Sequence, residues 1–358
     1  MNVVEHLESV VHFPLDASVK EVGIGIVGTG RIVDEKHCPA YRKAGLRIQG
    51  VTDLRIEQAE NVAAKHGIET VHHSLESLLA DPDIHIIDCA IPNEGRLDII
   101  TAAAEAGKHI LVHKPLAYTA EEGAAFVAVT EKHGVHFAVN QNARWAPTYG
   151  AATHLLQSGV IGDPYWIHHQ LFSGFDWFNT NSWHREMDRF QMHQYGIHHF
   201  DILAVWLGRQ PSRVYAEATR RPDQRYKGDM LTSVSCRYTD ELQAYLQETN
   251  ALHPLRPWAT HFEIHGTQGC IVSENLDRIS VYNDETGPEG QHHTFGIRWF
   301  PDAFIYPMAE LISAVLEDRV CPHSAASTLP TLATVDAAYA SAATGLPVAP
   351  NLEPWILS

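Results

Sequence analysis

No apolar run in the sequence is long enough to span a bilayer, and none of its five cysteines stands in a CxxC spacing. The first absence argues against a membrane partner. The second leaves Cys38, Cys89, Cys236, Cys270 and Cys321 as scattered thiols, which suit a reducing compartment. With no basic flank and apolar core at the N-terminus, the expected location is cytoplasmic. Basic charge is also scarce: 26 Lys and Arg face 43 Asp and Glu, a formal net charge of -17. That field repels polyanions and disfavours nucleic acid as a partner. Neither HExxH nor a compact Cys/His spacing is present, so no metal is expected. Internal repeats and low-complexity linkers are missing too.

What is present is a 358-residue chain, longer than one hydrophobic core usually supports, so two domains are expected. Its 24 histidines make the net charge sensitive to pH near neutrality. In residues 1–145, after a leader of about 20 residues, apolar strands alternate with helical stretches: strands at Val22–Val27, Leu46–Val51, Asp83–Ile91, His109–Val112 and Val135–Val139. That alternation predicts an α/β domain with a mostly parallel sheet and ligands at the carboxyl ends of its strands. Residues 146–358 change character. Pro164–Phe178, Arg213–Thr219, Thr232–Tyr238, Leu242–Glu248, His261–Gly266 and Cys270–Glu274 read as about six strands of an open, mostly antiparallel sheet in an α+β domain, with late helices at Pro307–Leu316 and Leu329–Ala343 packing on the first domain or between the two.

Two strings fit a glycine-rich phosphate turn. Gly23, Gly25 and Gly28 match GxGxxG formally, but the first two lie inside the strand. The frame Gly28, Gly30 and Val33 ends the strand at Gly28, lets a pyrophosphate approach at Gly30, and starts a helix at Arg31 and Ile32, with Thr29 between the glycines. Asp53, at the end of the second strand, is placed to accept hydrogen bonds from a ribose, which favours NAD; Arg55 leaves NADP open.

The string GIVGTGRI ending at Ile32, the following His37, the VTD ending at Asp53, AGKHILVHKPLA over Ala106–Ala117 and SAATG over Ser341–Gly345 together resemble the Gfo/Idh/MocA oxidoreductase family. The resemblance implies a Rossmann domain followed by an α+β substrate domain. It implies that Lys114 is catalytic, that Pro92 and Asn93 lie against the dinucleotide, and that Gln141 and Arg144 contact cofactor or substrate. His113 stands where the family carries glutamate, and Arg96 where many relatives carry histidine. The segment His193–Leu203 resembles the family's DxGxHxxD motif through Gly196, His198 and Asp201, with Gln194 in place of the first aspartate.

On this resemblance Lys114 steadies the reacting oxygen while His198 accepts the hydroxyl proton, an imidazole being suited to that exchange near neutrality. Gln194 orients a hydroxyl without titrating. Trp183, His184 and Arg185 are further candidates for holding a sugar. The implied reaction is hydride transfer between a nicotinamide cofactor and a secondary alcohol or ketone of a sugar, cyclitol or related polyhydroxy compound. Two other readings stay open: a lyase or glycosidase that oxidises its substrate transiently with bound NAD, and a dinucleotide-binding sugar sensor without turnover. An open sheet edge in the second domain suggests a homo-oligomer, dimer or tetramer.

Overall fold

The computed structural model describes residues 3–174, 183–253 and 257–355, and the chain divides into two compact units. One unit comprises Phe13–Trp145 and Trp299–Leu329. Its six strands are β1 (Gly23–Val27), β2 (Arg47–Thr52), β3 (Thr70–Val71), β4 (Ile86–Cys89), β5 (His109–His113) and β6 (Phe137–Asn140). All pair in parallel, in the order β3-β2-β1-β4-β5-β6. Every residue of β1 and β4 is buried, as expected of strands covered on both faces. Ile24, Ile26, Ile86, Ile110, Leu111 and Val112 are fully enclosed, and each contributes about 1.5–3 kcal/mol by leaving water.

Local signals set the ends of the crossover helices. Ile56–His66 stops at Gly67 and Ala120–His133 at Gly134, both in the left-handed region, while the Thr119 side chain caps the latter helix by accepting from the Glu122 amide. A weaker cap also forms: Ser74 and Ser77 make a reciprocal capping box at Leu75–Leu79. The order reverses between β1 and β4, and sheets of this kind bind ligands at that switch point, beyond the carboxyl ends of the strands.

The other unit contains the N-terminal segment up to His12, Ala146–Arg298 and the chain from Pro330 onward. The chain thus passes between units at Trp145 and Ala146, but the assignment of a leader to the first domain needs correcting. Helix Leu7–Val11 buries Leu7 and Val11 in this second unit, whereas Trp299–Leu329, including helix Ile305–Leu316, groups with the parallel sheet.

Eight strands form the second sheet: β7 (Pro164–Phe172), β8 (Arg213–Thr219), β9 (Leu231–Arg237), β10 (Gln243–Thr249), β11 (Ala259–Gly266), β12 (Gly269–Glu274), β13 (Arg278–Asn283) and β14 (Gln291–Thr294). Their order is β14-β13-β12-β11-β7-β10-β9-β8, and only β10 with β7 is parallel. The sequence expectation of about six strands omits β13 and β14. β14 reads QHHT, too polar and short to show an apolar alternation. One face of the sheet is enclosed. Helix Gly196–Leu207 packs there, with Trp206, Tyr149 and Phe262 in mutual ring contact.

Candidate active site

The turn after β1 decides between the two glycine frames. A Cβ on Gly23 would lie 1.9 Å from the Asp83 carbonyl oxygen, and one on Gly25 would press on Ile84 and Leu78, so these glycines serve strand packing. Gly28 has φ +89° and a Cβ there would meet Ile91 at 2.7 Å, so both backbone and space require glycine. Around Gly30 the position of a Cβ is open to 4 Å, which leaves the helix start approachable. The helix itself begins with Arg31 and Ile32 and widens into a π-type turn over Val33–His37. Val33 is fully buried, and the larger third residue of the motif therefore coincides with a wider helical turn.

Asp53 ties this turn together. Its Oδ2 accepts from the Thr29 amide at 2.7 Å and the Thr29 hydroxyl at 3.0 Å, and its Oδ1 accepts from the Arg55 amide at 2.9 Å. Thr29 is fully buried and braces Asp53 against the glycines. Arg31 is exposed and paired with Glu35, and Ile32 is half-buried.

Lys114 follows β5 and joins Pro115 through a cis peptide bond. It keeps partial exposure, but the protein packed around it withholds water from the ammonium and lowers its pKa to about 7. The segment is held by Arg96, 2% exposed, whose guanidinium donates to the carbonyls of Pro115, Leu116 at 2.9 Å and Ile91 at 2.6 Å. Sequence reasoning missed this clamp, which bridges the ends of β4 and β5. Beside it, His113 lies 5.3 Å from the His37 ring and stacks on Phe304. His37 and Tyr41 both contact the buried Asp88 carboxylate, at 2.7 and 2.8 Å. An aspartate inside the apolar strand IIDC was the signal available for that cluster.

The loops beyond β4 and β6 carry polar atoms that the described residues leave unanswered. Pro92 is exposed; Asn93 is 5% exposed with Nδ2 lacking a hydrogen-bond partner among the described residues, and Gln141 is 1% exposed with Oε1 in the same condition. Together with the open Gly30 and the Asp53 carboxylate, these atoms lie at carboxyl ends of the parallel strands and fit a dinucleotide. Arg144, on the short turn Asn142–Trp145, donates to the Pro322 carbonyl at 2.8 Å and thereby braces its own unit.

In the second unit His193, Gln194 and His198 fall on one continuous helical segment: a π-type turn over Gln191–Tyr195 runs into helix Gly196–Leu207. Asp229 fixes the turn by accepting from the Phe190 and Met192 amides, and the Tyr339 hydroxyl donates to the same carboxylate. Burial raises the Asp229 pKa despite these donors. Gln194 is 5% exposed with its amide 3.2 Å from His193 Nδ1, and His198 is 7% exposed. Asp201 is buried on the same helix. Trp183, His184 and Arg185 form a short turn in which the Trp183 and His184 ring centroids lie 4.1 Å apart at a tilt of 37° and Trp183 is 47% exposed. The aromatic approach over 175–182 lies outside the described residues. His199 turns inward to Glu248.

A parallel sheet of this order, an open glycine turn and a partly exposed, poorly hydrated lysine at its carboxyl edge suit an NAD-binding oxidoreductase. Residues 22–141 match the model of the oxidoreductase family with an NAD-binding Rossmann fold, and residues 149–272 match the Gfo/Idh/MocA C-terminal domain. The chain belongs to the Gfo/Idh/MocA family. It is 25% identical to D-apiose dehydrogenase of Paraburkholderia graminis, over 92% of this chain and 89% of that protein. It is 26% identical to 2,7-anhydro-N-acetylneuraminate hydratase of Mediterraneibacter gnavus, over 72% and 69% of the two chains. The structure of levoglucosan dehydrogenase in complex with NADH and levoglucosan superposes with a TM-score of 0.83 at 24% identity, covering 92% of this chain and 99% of that one. Among the described residues no helix is long and apolar enough to cross a membrane.

Proposed function

We propose that the chain transfers hydride between NAD and a secondary alcohol or ketone of a sugar, cyclitol or related polyhydroxy compound. The observation that carries this reading is the Lys114 ammonium brought to about 7 by burial at the carboxyl edge of the parallel sheet. Gly28, Gly30, Asp53, Asn93 and Gln141 would hold the dinucleotide, whose nicotinamide supplies the hydride acceptor or donor when bound. The carboxylate of Asp53 favours NAD over a ribose phosphate. Two relatives named for sugar derivatives support the substrate class.

In the oxidative direction His198 accepts the hydroxyl proton, and Lys114 donates a hydrogen bond to the oxygen as its carbonyl character develops. The single hydroxyl proton goes to His198, and Lys114 keeps its own protons throughout, so its charged form serves both directions. Arg96 positions Lys114 without touching substrate. Gln194, Arg144, Trp183, His184 and Arg185 are assigned to the substrate hydroxyls. The open face of the second sheet, where Trp166, Tyr215 and Tyr245 line a shallow depression of about 310 Å³, is assigned to self-association as a dimer or tetramer.

A second reading, transient oxidation followed by elimination or hydration, is favoured by Gln194 in place of the expected aspartate and by the relative named as a hydratase. A panel of sugars and cyclitols with NAD and NADP separates the two. Net hydride transfer accumulates NADH in step with oxidised product; transient oxidation changes product mass with no net NADH. Tight dinucleotide binding with neither outcome across the panel overturns both in favour of a sensor.

A further inference from the structure

Inside the second unit, three side chains that the proposed reaction does not use converge beneath the helix carrying His198. His169 lies on β7, Glu248 on the adjacent β10, and His199 on helix Gly196–Leu207. They are 1%, 2% and 1% exposed, and one potential ligand atom from each lies within 4.8 Å of the others. Gly196 makes room for the carboxylate, since a Cβ there would sit 3.3 Å from Glu248 Oε2.

Hydrogen bonding alone does not answer this cluster. His199 Nδ1 is hydrogen-bonded to Glu248 Oε1, and His169 Nδ1 faces the same oxygen from 3.9 Å, too far for a hydrogen bond. His169 Nδ1 has no partner among the described residues, although its residue is almost wholly buried. A proton held between His199 and Glu248 therefore leaves His169 Nδ1 unanswered, and His199 Nε2 has no partner among the described residues either. A cation among the three would answer His169 Nδ1 together with the His199 and Glu248 atoms that face it, and 3.9 Å is within the reach of two metal bonds of about 2.0–2.2 Å each.

We propose that His169, His199 and Glu248 form a buried structural site for a divalent transition metal of the zinc class. Two imidazoles and one carboxylate suit zinc and its neighbours better than calcium or magnesium, which prefer all-oxygen sets. The surroundings orient the donors as such sites require. The Tyr149 hydroxyl lies 2.7 Å from His169 Nε2; accepting that N–H leaves Nδ1 as a lone pair aimed at the cluster. Gln191 donates to Glu248 Oε2 at 3.4 Å, and its own orientation is set by the Asn250 amide donating to its carbonyl oxygen at 2.9 Å. The ion takes the place of the proton between His199 and Glu248 and fastens the His198 helix to β7 and β10. This proposal stands apart from the dehydrogenase reading, because its readouts need no turnover.

The test uses untagged full-length protein, since 24 histidines invite surface binding. After a wash with a chelator, elemental analysis is expected to find about one zinc-class ion per chain. Stripped protein titrated with Co2+ alone is expected to show the visible ligand-field absorption of a low-coordinate nitrogen and oxygen site, saturating at the same stoichiometry. His169→Asn should abolish that absorption, while His193→Asn should leave it intact. Should His169→Asn fail to fold, the wild-type stoichiometry and cobalt spectrum still decide. Native protein that loses its metal in the wash without a change in Tm, and gives Co2+ only its aqueous spectrum, overturns the proposal in favour of a proton-held network.

Discussion

In the parallel-sheet unit, the groups assigned to chemistry stand on loops at strand ends, and two polar atoms there have no partner among the described residues: Asn93 Nδ2 and Gln141 Oε1 after β4 and β6. In the second unit, His198 and Gln194 belong instead to a continuous helical segment anchored by Asp229 and underlain by the His199 and Glu248 pair. Each unit also contains a π-type turn running into an α-helix, at Val33–His37 and Gln191–Tyr195, and each turn includes a buried histidine. The difference teaches where each unit tolerates change. Loop groups act through what they leave unsatisfied, so their replacement should alter binding or chemistry more than folding. Groups in the helical segment are bound up with a buried polar network, so their replacement should disturb both.

The largest effect that sharpens this contrast is expected from Lys114→Met and His198→Asn. Each should lower turnover by about 10²–10⁴-fold while leaving NAD affinity nearly unchanged, as measured by steady-state kinetics and dinucleotide titration. Their stabilities should differ in sign. Folding depresses the Lys114 pKa from 10.5 to about 7, so between those values the unfolded chain binds more protons and stability rises with pH. Lys114→Met removes that penalty, and its Tm should exceed the wild-type value most clearly at and below pH 7, converging above pH 10.5. His198→Asn should show no such gain.

Next comes Arg96→Ala, which deletes the donors to Ile91, Pro115 and Leu116. A loss of about 3 kcal/mol in chemical denaturation is expected, with kcat falling more than KM rises because Lys114 is no longer held. Arg96→Lys should restore only part of kcat, since an ammonium cannot span three carbonyls as the guanidinium fork does. A smaller effect is expected from Gly28→Ala, at about 1–3 kcal/mol of backbone strain and a weakened NAD affinity in calorimetric titration. The smallest is Asp53→Asn. It should reduce the preference for NAD over NADP by roughly 1.5–3 kcal/mol at most, read as the ratio of kcat/KM values. An unchanged ratio would remove Asp53 from ribose recognition.

Much of the parallel unit was legible in the sequence because its chemistry follows local strings. The register of Gly28 and Gly30 could be chosen by asking which glycines lie inside a strand, and the structure gives that choice its reason in the close contacts at Gly23 and Gly25. Arg96 was not legible as a clamp. Its carbonyl partners lie 19 and 20 positions ahead on another strand end, and only the packing of β4 beside β5 unites them. Distance in sequence hid the His169, His199 and Glu248 cluster more completely. The helix turns His199 toward the sheet, where its carboxylate partner stands 49 positions away in sequence. Strand β14 was missed for a different reason: an edge strand of alternating half-exposed polar residues carries no apolar period.

The central claim, that the Lys114 ammonium steadies the reacting oxygen while His198 takes the hydroxyl proton, is tested most directly by the pH dependence of hydride transfer in both directions at saturating dinucleotide. Both directions should lose rate as pH rises through about 7, where Lys114 gives up its charge, and Lys114→Arg should flatten that inflection at whatever activity remains. Profiles that keep the same inflection in Lys114→Arg would contradict the account.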